Sequence, residues 1–430
     1  MSGPLTGIRV VDFSRVLAGP LCARTLLDLG ADVVKIEPPN PDLSRLAFPF
    51  IEGMSGYYAQ QNSGKRNISI NLNVPGAREM VLRLCDQADV IVENFRAGTL
   101  KFFGLDYETL SERNPRLVYV SITGYGQGGP WRGRMAYAPT VQAEGGFTAN
   151  SLRHFGEALA DPRTDSLSHA DVYTGMQAVI AVLAALQRRS VTGEGQYVDV
   201  SMAATLLAIN ERAHVDLNKF DIGDEPAILG ATDAPFFIGP DGEQFVLSMS
   251  LVGSITFPLY LQAMRRFDIG DDPRFKTASL RKKHLKELHA IVQKWMLTFR
   301  SLADLDAQLD EAKIAMGRLR DLNALADSEW SGYWGATQEV SDRNGGRYKL
   351  PGRPWRFSKD PLAPIGDPAF RGEHNRAVFA EYGMSQSEIE AAVASGALIS
   401  DPALLKKPAA PVAEPPHAPE LKVVASNKAA

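Results

Sequence analysis

Asp171 is the side chain with the most to offer chemically in this sequence. It stands directly before Val172-Tyr-Thr-Gly175 and a long apolar stretch, where the spacing predicts a helix over 172–188 with Asp171 as its N-cap. Capping alone would account for an aspartate there. The same place also gives it a chemical use, because the positive end of the helix dipole favours an ionised carboxylate by roughly 0.3–1 kcal/mol. Such a carboxylate is able to attack a carbonyl and divide an acyl transfer into two covalent steps. His169, two residues earlier, is either an assisting group or a plain loop residue.

Other segments offer binding rather than bond-making. Asn94-Phe95-Arg96 follows the apolar run Asp89–Val92, at the end of a strand where ligand loops gather in open sheets. An aromatic ring beside a guanidinium suits an adenine and a phosphate. Gly64-Lys65-Arg66 has the look of a phosphate loop, but no glycine precedes Gly64 by five residues and Arg66 stands where a magnesium-binding hydroxyl belongs. Its two cations are left open between phosphate contact and a solvated surface turn. The stretch Ser14-Arg-Val-Leu-Ala-Gly-Pro20 lacks G-x-G-x-x-G, which disfavours nicotinamide. No H-x-x-x-H pair and no G-x-S-x-G elbow occurs, so neither a metal site nor that type of serine hydrolase is expected.

These residues need a frame, and the sequence supplies one. Ile8–Phe13, Asp32–Ile36, Asp89–Val92, Leu117–Ile122 and Tyr197–Val200 read as strands, separated by helical patterns at Leu21–Leu29, Gly76–Ala88 and Val172–Arg188. Strands alternating with helices predict an α/β fold: a doubly wound, Rossmann-like large domain with a parallel sheet. After residue 225 the texture changes. Asp241-Gly242 between apolar runs predicts a hairpin, and helical patterns follow at 285–299 and 302–309. The expected division is a large domain over 1–220, a smaller α+β domain over 225–335, a return to the large domain over 346–400, and a disordered Ala/Pro/Lys tail over 402–430.

A formal charge of −4 argues against a nucleic-acid partner. No run of eighteen apolar residues is present, so no membrane span is expected, and the first residues lack a signal-peptide pattern. Cys22 and Cys85 lie in apolar stretches and read as core packing in a reducing, cytoplasmic setting.

Taken together, the segments resemble the class III CoA-transferases, the family of formyl-CoA:oxalate, carnitine and bile-acid CoA-transferases. The resemblance rests on Pro4-Leu-Thr-Gly-Ile-Arg-Val-Val-Asp-Phe13 with Ala18-Gly-Pro20, Leu29-Gly-Ala-Asp-Val-Val-Lys-Ile-Glu37, Gly64-Lys-Arg66 and Val92-Glu-Asn-Phe-Arg96. It continues through Asn114–Ile122 into Gly124-Tyr-Gly126, Ala170-Asp171 with Thr174-Gly175, Thr192-Gly-Glu-Gly-Gln196 and Gly372-Glu-His374.

The resemblance implies an interlocked homodimer, coenzyme A and acyl-CoA as substrates with no permanently bound cofactor, and Asp171 as nucleophile. It places CoA contacts on Val16, Leu17, Ala18, on Ile70, Asn71, Leu72, Asn73, on Asn94, Phe95, Arg96, and on Tyr137. Relatives acting on oxalate carry Gln where this chain has Leu17, and Arg where it has Pro38 and Phe102. Arg96, Lys101 or Arg134 are the candidates to replace those phosphate contacts. The glycine-rich loop that covers the aspartate in such relatives is not evident around Leu229–Asp233, and Leu17, Tyr137 and Phe236–Phe237 predict an apolar acyl pocket.

Two rival readings have definite requirements. A 2-methylacyl-CoA racemase needs acid–base groups on both faces of an α-carbon. Racemases resembling this chain carry a His near Tyr137 and an acid after the Asp-Gly turn, and neither Met135–Pro139 nor Phe245–Val252 supplies one. A CoA-binding protein without turnover would bind acyl-CoA and form no adduct on Asp171.

Overall fold

The computed structural model describes residues 3–51, 54–155, 167–220 and 234–401. Leu229–Asp233, where the glycine-rich covering loop of such relatives is not evident, and the expected disordered tail at 402–430 lie outside the described residues.

The larger of two compact units comprises residues 1–137, 171–202 and the chain from Thr337 onward. Its sheet contains β1 (Arg9–Asp12), β2 (Asp32–Glu37), β3 (Arg66–Ser69), β4 (Val90–Glu93), β5 (Val118–Thr123) and β6 (Gln196–Ser201). All neighbours are parallel and the spatial order is β3-β2-β1-β4-β5-β6. The strands are apolar on both sides because both faces are covered. Val10, Val33, Val90, Val118 and Val120 point into one core, shared with α1 (Ala18–Asp28) and α4 (His169–Thr192). Their neighbours Val11, Val34, Ile91 and Tyr119 point into the other, shared with α2 (Ala77–Cys85) and α3 (Tyr107–Arg113). Cys22 and Cys85 are buried, one in each core.

By length and composition alone, α4 is apolar enough to cross a membrane. It packs Ala178, Val182, Ala185 and Leu186 against the sheet and carries Asp171, Arg188 and Arg189, so it is the core helix of this face.

The smaller unit comprises residues 138–170 and 203–336, so the boundary expected at 220 moves: two stretches assigned to the large domain belong to the small one. Its sheet joins β7 (Phe236–Ile238), β8 (Gln244–Leu247) and β9 (Met316–Arg318), antiparallel in the order β9-β8-β7. The predicted hairpin is present: Gly239 N donates to Glu243 O at 2.8 Å across Asp241-Gly242, and Gly242 takes φ +85°. Phe237 and Phe245 pack with Leu288 and Val292 of α5 (Leu285–Met296) and Leu305 of α6 (Leu302–Glu311).

The chain returns to the large unit through the antiparallel ribbon β10 (Thr337–Ser341) and β11 (Arg347–Pro351), then α7 (Asn375–Glu381) and α8 (Gln386–Ala394). This last segment finishes the outer edge of the sheet. Asn67 N donates to His374 Nδ1 at 3.1 Å, Ser69 N to Asn375 Oδ1 at 2.9 Å, and Ile399 N to Ser69 O at 3.1 Å.

Candidate active site

In the order β3-β2-β1-β4-β5-β6 the chain's direction of travel reverses between β1 and β4. The loops leaving those two strands diverge, and ligands of doubly wound sheets bind in the crevice so formed. Here a cleft of about 280 Å³ lies there, walled by Arg15, Val16 and Ala18 after β1, Asn94–Ala97 after β4, Ile122–Tyr125 at the end of β5, Arg132 and Arg134–Tyr137 beyond it, and Asp171.

The β1 loop is held in an unusual shape. Val16 sits at φ +69°, in the left-handed region that a β-branched residue rarely enters. Three contacts fix it there. Asn94 Oδ1 accepts from Arg15 N at 2.7 Å, Asn94 Nδ2 donates to Arg15 O at 2.8 Å, and Val16 N donates to Asp42 Oδ1 at 3.0 Å. Gly19 is required by the same tight path, since a Cβ there would lie 2.2 Å from Ser14 Cβ. Such strain persists only where the surroundings over-determine it, and it gathers at functional sites.

Beneath the loop lies a set of buried, paired charges. Asp12 accepts from Ser14 N at 2.9 Å and from the Ser14 hydroxyl. Lys65 Nζ donates to Asp12 Oδ2 and Pro20 O, both at 2.9 Å, and to Asn62 Oδ1 at 3.0 Å. Lys35 Nζ donates to Ser14 O at 2.7 Å and lies 3.0 Å from Asp42 Oδ2. Burial pushes the Lys65 amine down to about 8, with Asp12 opposing the shift. Burial works to raise the Asp42 carboxyl, but Lys35 and the N–H groups of Ser44 and Val16 hold it well below the ordinary carboxylate range. Lys65 is thus neither a phosphate ligand nor part of a solvated turn. Arg66 is likewise engaged, by Asp32 and Glu381.

Asp171 reaches the cleft on the first turn of α4. The helix begins at His169, so Asp171 is its third residue rather than its N-cap. Ser168-His-Ala-Asp171 matches the S-x-x-D start signal, and Ser168 holds the capping position that the apolar periodicity alone assigns to Asp171. The dipole argument survives the shift, because the first turn still presents N–H groups without helical acceptors. Asp171 is half-buried. Gly175, one turn on, lets α4 approach α1: a Cβ there would stand 2.7 Å from Ala18 O. Tyr57 is electrostatically close as well, its phenol pushed up by burial and then by the Asp171 charge.

The wall around this carboxylate is cationic. Arg15, Arg96, Arg132 and Arg134 all line it, and Arg134 stacks 5.2 Å over Tyr125 and 4.9 Å over Trp131. Apolar side chains share that wall, among them Val16, Phe95, Ile122, Met135 and Met202. Leu17 is buried ahead of α1 and does not line the cleft, while Phe236 and Phe237 belong to the smaller unit. Tyr137 does line it, exposed, as do Val16, Ala18, Phe95 and Arg96. Asn94 lines it too, with its side chain occupied in clamping Arg15.

Ile70, Asn71, Leu72 and Asn73 are not on this wall. Ile70 is buried and bridges to Leu398, Asn71 N donates to Ala397 O at 2.8 Å, and Leu72 packs on the core. Lys101 lines a separate cavity. Arg15, Arg132 and Tyr57 escaped the sequence reading, since no motif distinguishes them from other arginines and tyrosines. His169 packs its ring 5.0 Å from that of Phe147. Among the described residues, no group of three His, Cys, Asp or Glu side chains is placed to share a metal.

The profile of CoA-transferase family III matches residues 5–375 of the sequence. The chain belongs to CoA-transferase family III. It is 35% identical to the succinate–glutarate CoA-transferase of Agrobacterium fabrum over 67% of this chain and 73% of that enzyme. It is 29% identical to the succinyl-CoA–D-citramalate CoA-transferase of Chloroflexus aurantiacus, over 90% of this chain and 96% of that one. The crystal structure of a CAIB/BAIF family protein from Brucella suis superposes with a TM-score of 0.72 at 30% identity, covering 89% of this chain and all of that one. The protein is thus a CoA-transferase, and CoA thioesters are the substrates of such enzymes. A class III transferase must bring a thioester and a carboxylate to one place, and the cleft at the switch point of its sheet is where this chain gathers cations around a carboxylate.

Proposed function

We propose that this CoA-transferase moves CoA from an acyl-CoA to a free carboxylic acid through covalent intermediates on Asp171, and that its acids are dicarboxylic. One observation carries the reading: a half-buried aspartate on the first turn of a helix, in a cleft lined by four arginines. Transfer between acids conserves one thioester and one carboxylate, so no external energy source is required.

The Asp171 carboxylate attacks the thioester carbonyl, and CoA thiolate leaves as the acyl-aspartyl anhydride forms. The thiolate then attacks the aspartyl carbonyl, releasing the donor acid and leaving an aspartyl-CoA thioester. The acceptor carboxylate attacks that thioester, and CoA thiolate leaves again. Finally the thiolate attacks the acceptor's acyl carbon in the second anhydride, giving the new acyl-CoA and restoring the Asp171 carboxylate. Each step passes through an oxyanion, which N–H groups at the head of α4 and the nearby guanidiniums are placed to stabilise. The anhydrides and thioester must be kept from water.

Dicarboxylic substrates are favoured on two grounds. Relatives are named for succinate, glutarate and citramalate. Four arginines also exceed what one reacting carboxylate needs, so a second carboxylate or the CoA phosphates would employ the remainder. The exposed apolar stripe Met176, Ile180 and Leu183 on α4 fits the homodimer implied by the family resemblance, and light scattering at about twice the 46.8 kDa chain mass would support it.

The experiment is exchange of succinyl-CoA with a panel of acids, followed by mass spectrometry. Asp171→Ala is expected to lower turnover by at least about 10³-fold while leaving CoA affinity within about twofold. An adduct of CoA mass on the wild-type peptide containing Asp171 supports the covalent route. Undiminished turnover in the variant overturns it.

A further inference from the structure

Next to the cleft lies a second cavity of about 520 Å³, and the two share Arg96, Ala97 and Arg132. At its inner wall stands Glu93, the last residue of β4, only 3% exposed. Its two oxygens face different segments. Oε2 accepts from Phe95 N at 2.8 Å, within the loop that carries Arg96. Oε1 accepts from Gln127 Nε2 at 3.0 Å, within the glycine-rich segment that carries Arg132 and Arg134. Gln127 is fixed at its other end, its N donating to Asp199 Oδ2 of β6 at 2.8 Å.

We infer that Glu93 is a positioning residue, tying the loop that carries Arg96 to the segment that carries Arg132 so that both cations reach the cleft together only while its two oxygens both accept. The inference rests on the cleft being the CoA site.

The groups facing Glu93 make this tie sensitive to protonation. Burial pushes its carboxyl up to about 7; hydrogen bonds from Ser121, Phe95 and Gln127 oppose the rise and the Asp199 charge adds to it. Asp106 and Glu108, from the α3 region, share the cavity and add negative charge, while Arg96, Lys101 and Arg132 at its rim work the other way. Tyr119 and Tyr197 line it with phenols held protonated, each pushed up by burial first. When Glu93 takes a proton, one oxygen becomes a donor facing a donor, either Phe95 N–H or the Gln127 amide. That link gives up its charged acceptor and weakens.

The test uses CoA alone as the probe, by titration calorimetry, on wild type and Glu93→Gln at pH 6 and pH 8. The glutamine has one acceptor oxygen, one amide donor and no charge, so it stands in for the protonated state at either pH. The wild type should bind CoA about tenfold more tightly than the variant at pH 8, the worth of one charge-assisted hydrogen bond, and the ratio should fall towards one at pH 6. Proton uptake by CoA itself cancels in this ratio. Gln127→Ala, on a surface segment, should cause a similar loss at pH 8, and the double variant should lose little more. A wild-type to variant ratio that stays constant between the two pH values overturns the inference, as does a fully additive double variant. Those results leave the transferase reading intact if Asp171→Ala abolishes exchange. No CoA binding by the wild type would instead overturn the cleft assignment, and this inference with it.

Discussion

Two buried glutamates close strands of the same sheet and come to opposite ends. Glu37 ends β2 at 1% exposure and Glu93 ends β4 at 3%. Glu37 is met by Arg45, whose Nη2 lies 2.7 Å from Oε1 and whose Nε lies 3.0 Å from Oε2, and by Asn67 Nδ2 at 2.6 Å and Tyr58 Oη at 3.2 Å. Burial acts to raise this carboxyl, but the Arg45 charge and its hydrogen bonds outweigh it, so Glu37 stays ionised. Glu93 has only neutral donors in direct contact, and burial prevails. Burial opposes ionisation at both, and the cations beside Glu37, Arg45 first and then Lys35, decide whether the group is an anchor or a titrating joint.

Removing the cation should break the contrast most severely. Arg45→Met leaves Glu37 buried without its principal cation, and a loss of about 3–5 kcal/mol in urea-unfolding stability at pH 7 is expected. Next comes the pH dependence of stability, where the two sites have opposite signs. The Glu37 and Asp42 contributions are present above the ordinary carboxylate range near pH 4.5 and fade as pH falls below it. The Glu93 contribution is present below that range and is lost as pH rises through about 7. Glu93→Gln should therefore flatten stability between pH 4.5 and 7, removing a change of at most about 3 kcal/mol. An unaltered profile would show that Glu93 titrates normally. The smallest effect is expected from Tyr58→Phe, which takes one neutral donor from Glu37 and leaves Arg45 in place. A loss of about 1 kcal/mol with no change in pH profile would sharpen the contrast.

The same contrast explains what the sequence discloses. Strand and helix alternation is legible because both-face burial writes runs such as Arg9-Val-Val-Asp12 and Asp32–Glu37 into the chain. The hairpin at Asp241-Gly242 is legible because its turn residues have a definite backbone preference. Charge partners are another matter. Lys65 and Arg66 look alike in sequence, yet one is sealed against Asp12 and the other pairs with Asp32 and Glu381, contacts up to 315 residues apart. Arg15 and Arg132 gain meaning only when two loops converge. Asp171 was identifiable as a residue near a helix start, but its register depends on Ser168, whose S-x-x-D signal is weaker than the apolar run that follows. Ile70 and Asn71 pair with Leu398 and Ala397, more than three hundred positions away, which local pattern does not reveal.

That distant packing bears on how the chain is made. The outer edge of the sheet, at Asn67 and Ser69, is finished by His374, Asn375 and Ile399. During synthesis, Asn67 and Ser69 must therefore wait for more than three hundred further residues to leave the ribosome before this edge is finished. For that interval apolar side chains such as Ile68 and Val81 stay open to water and to other nascent chains. A message interrupted before α7 would release a polypeptide that carries its nucleophile and most of its cleft, yet has no closed core on one side. Such fragments should be seized by chaperones or aggregate, however complete their chemistry.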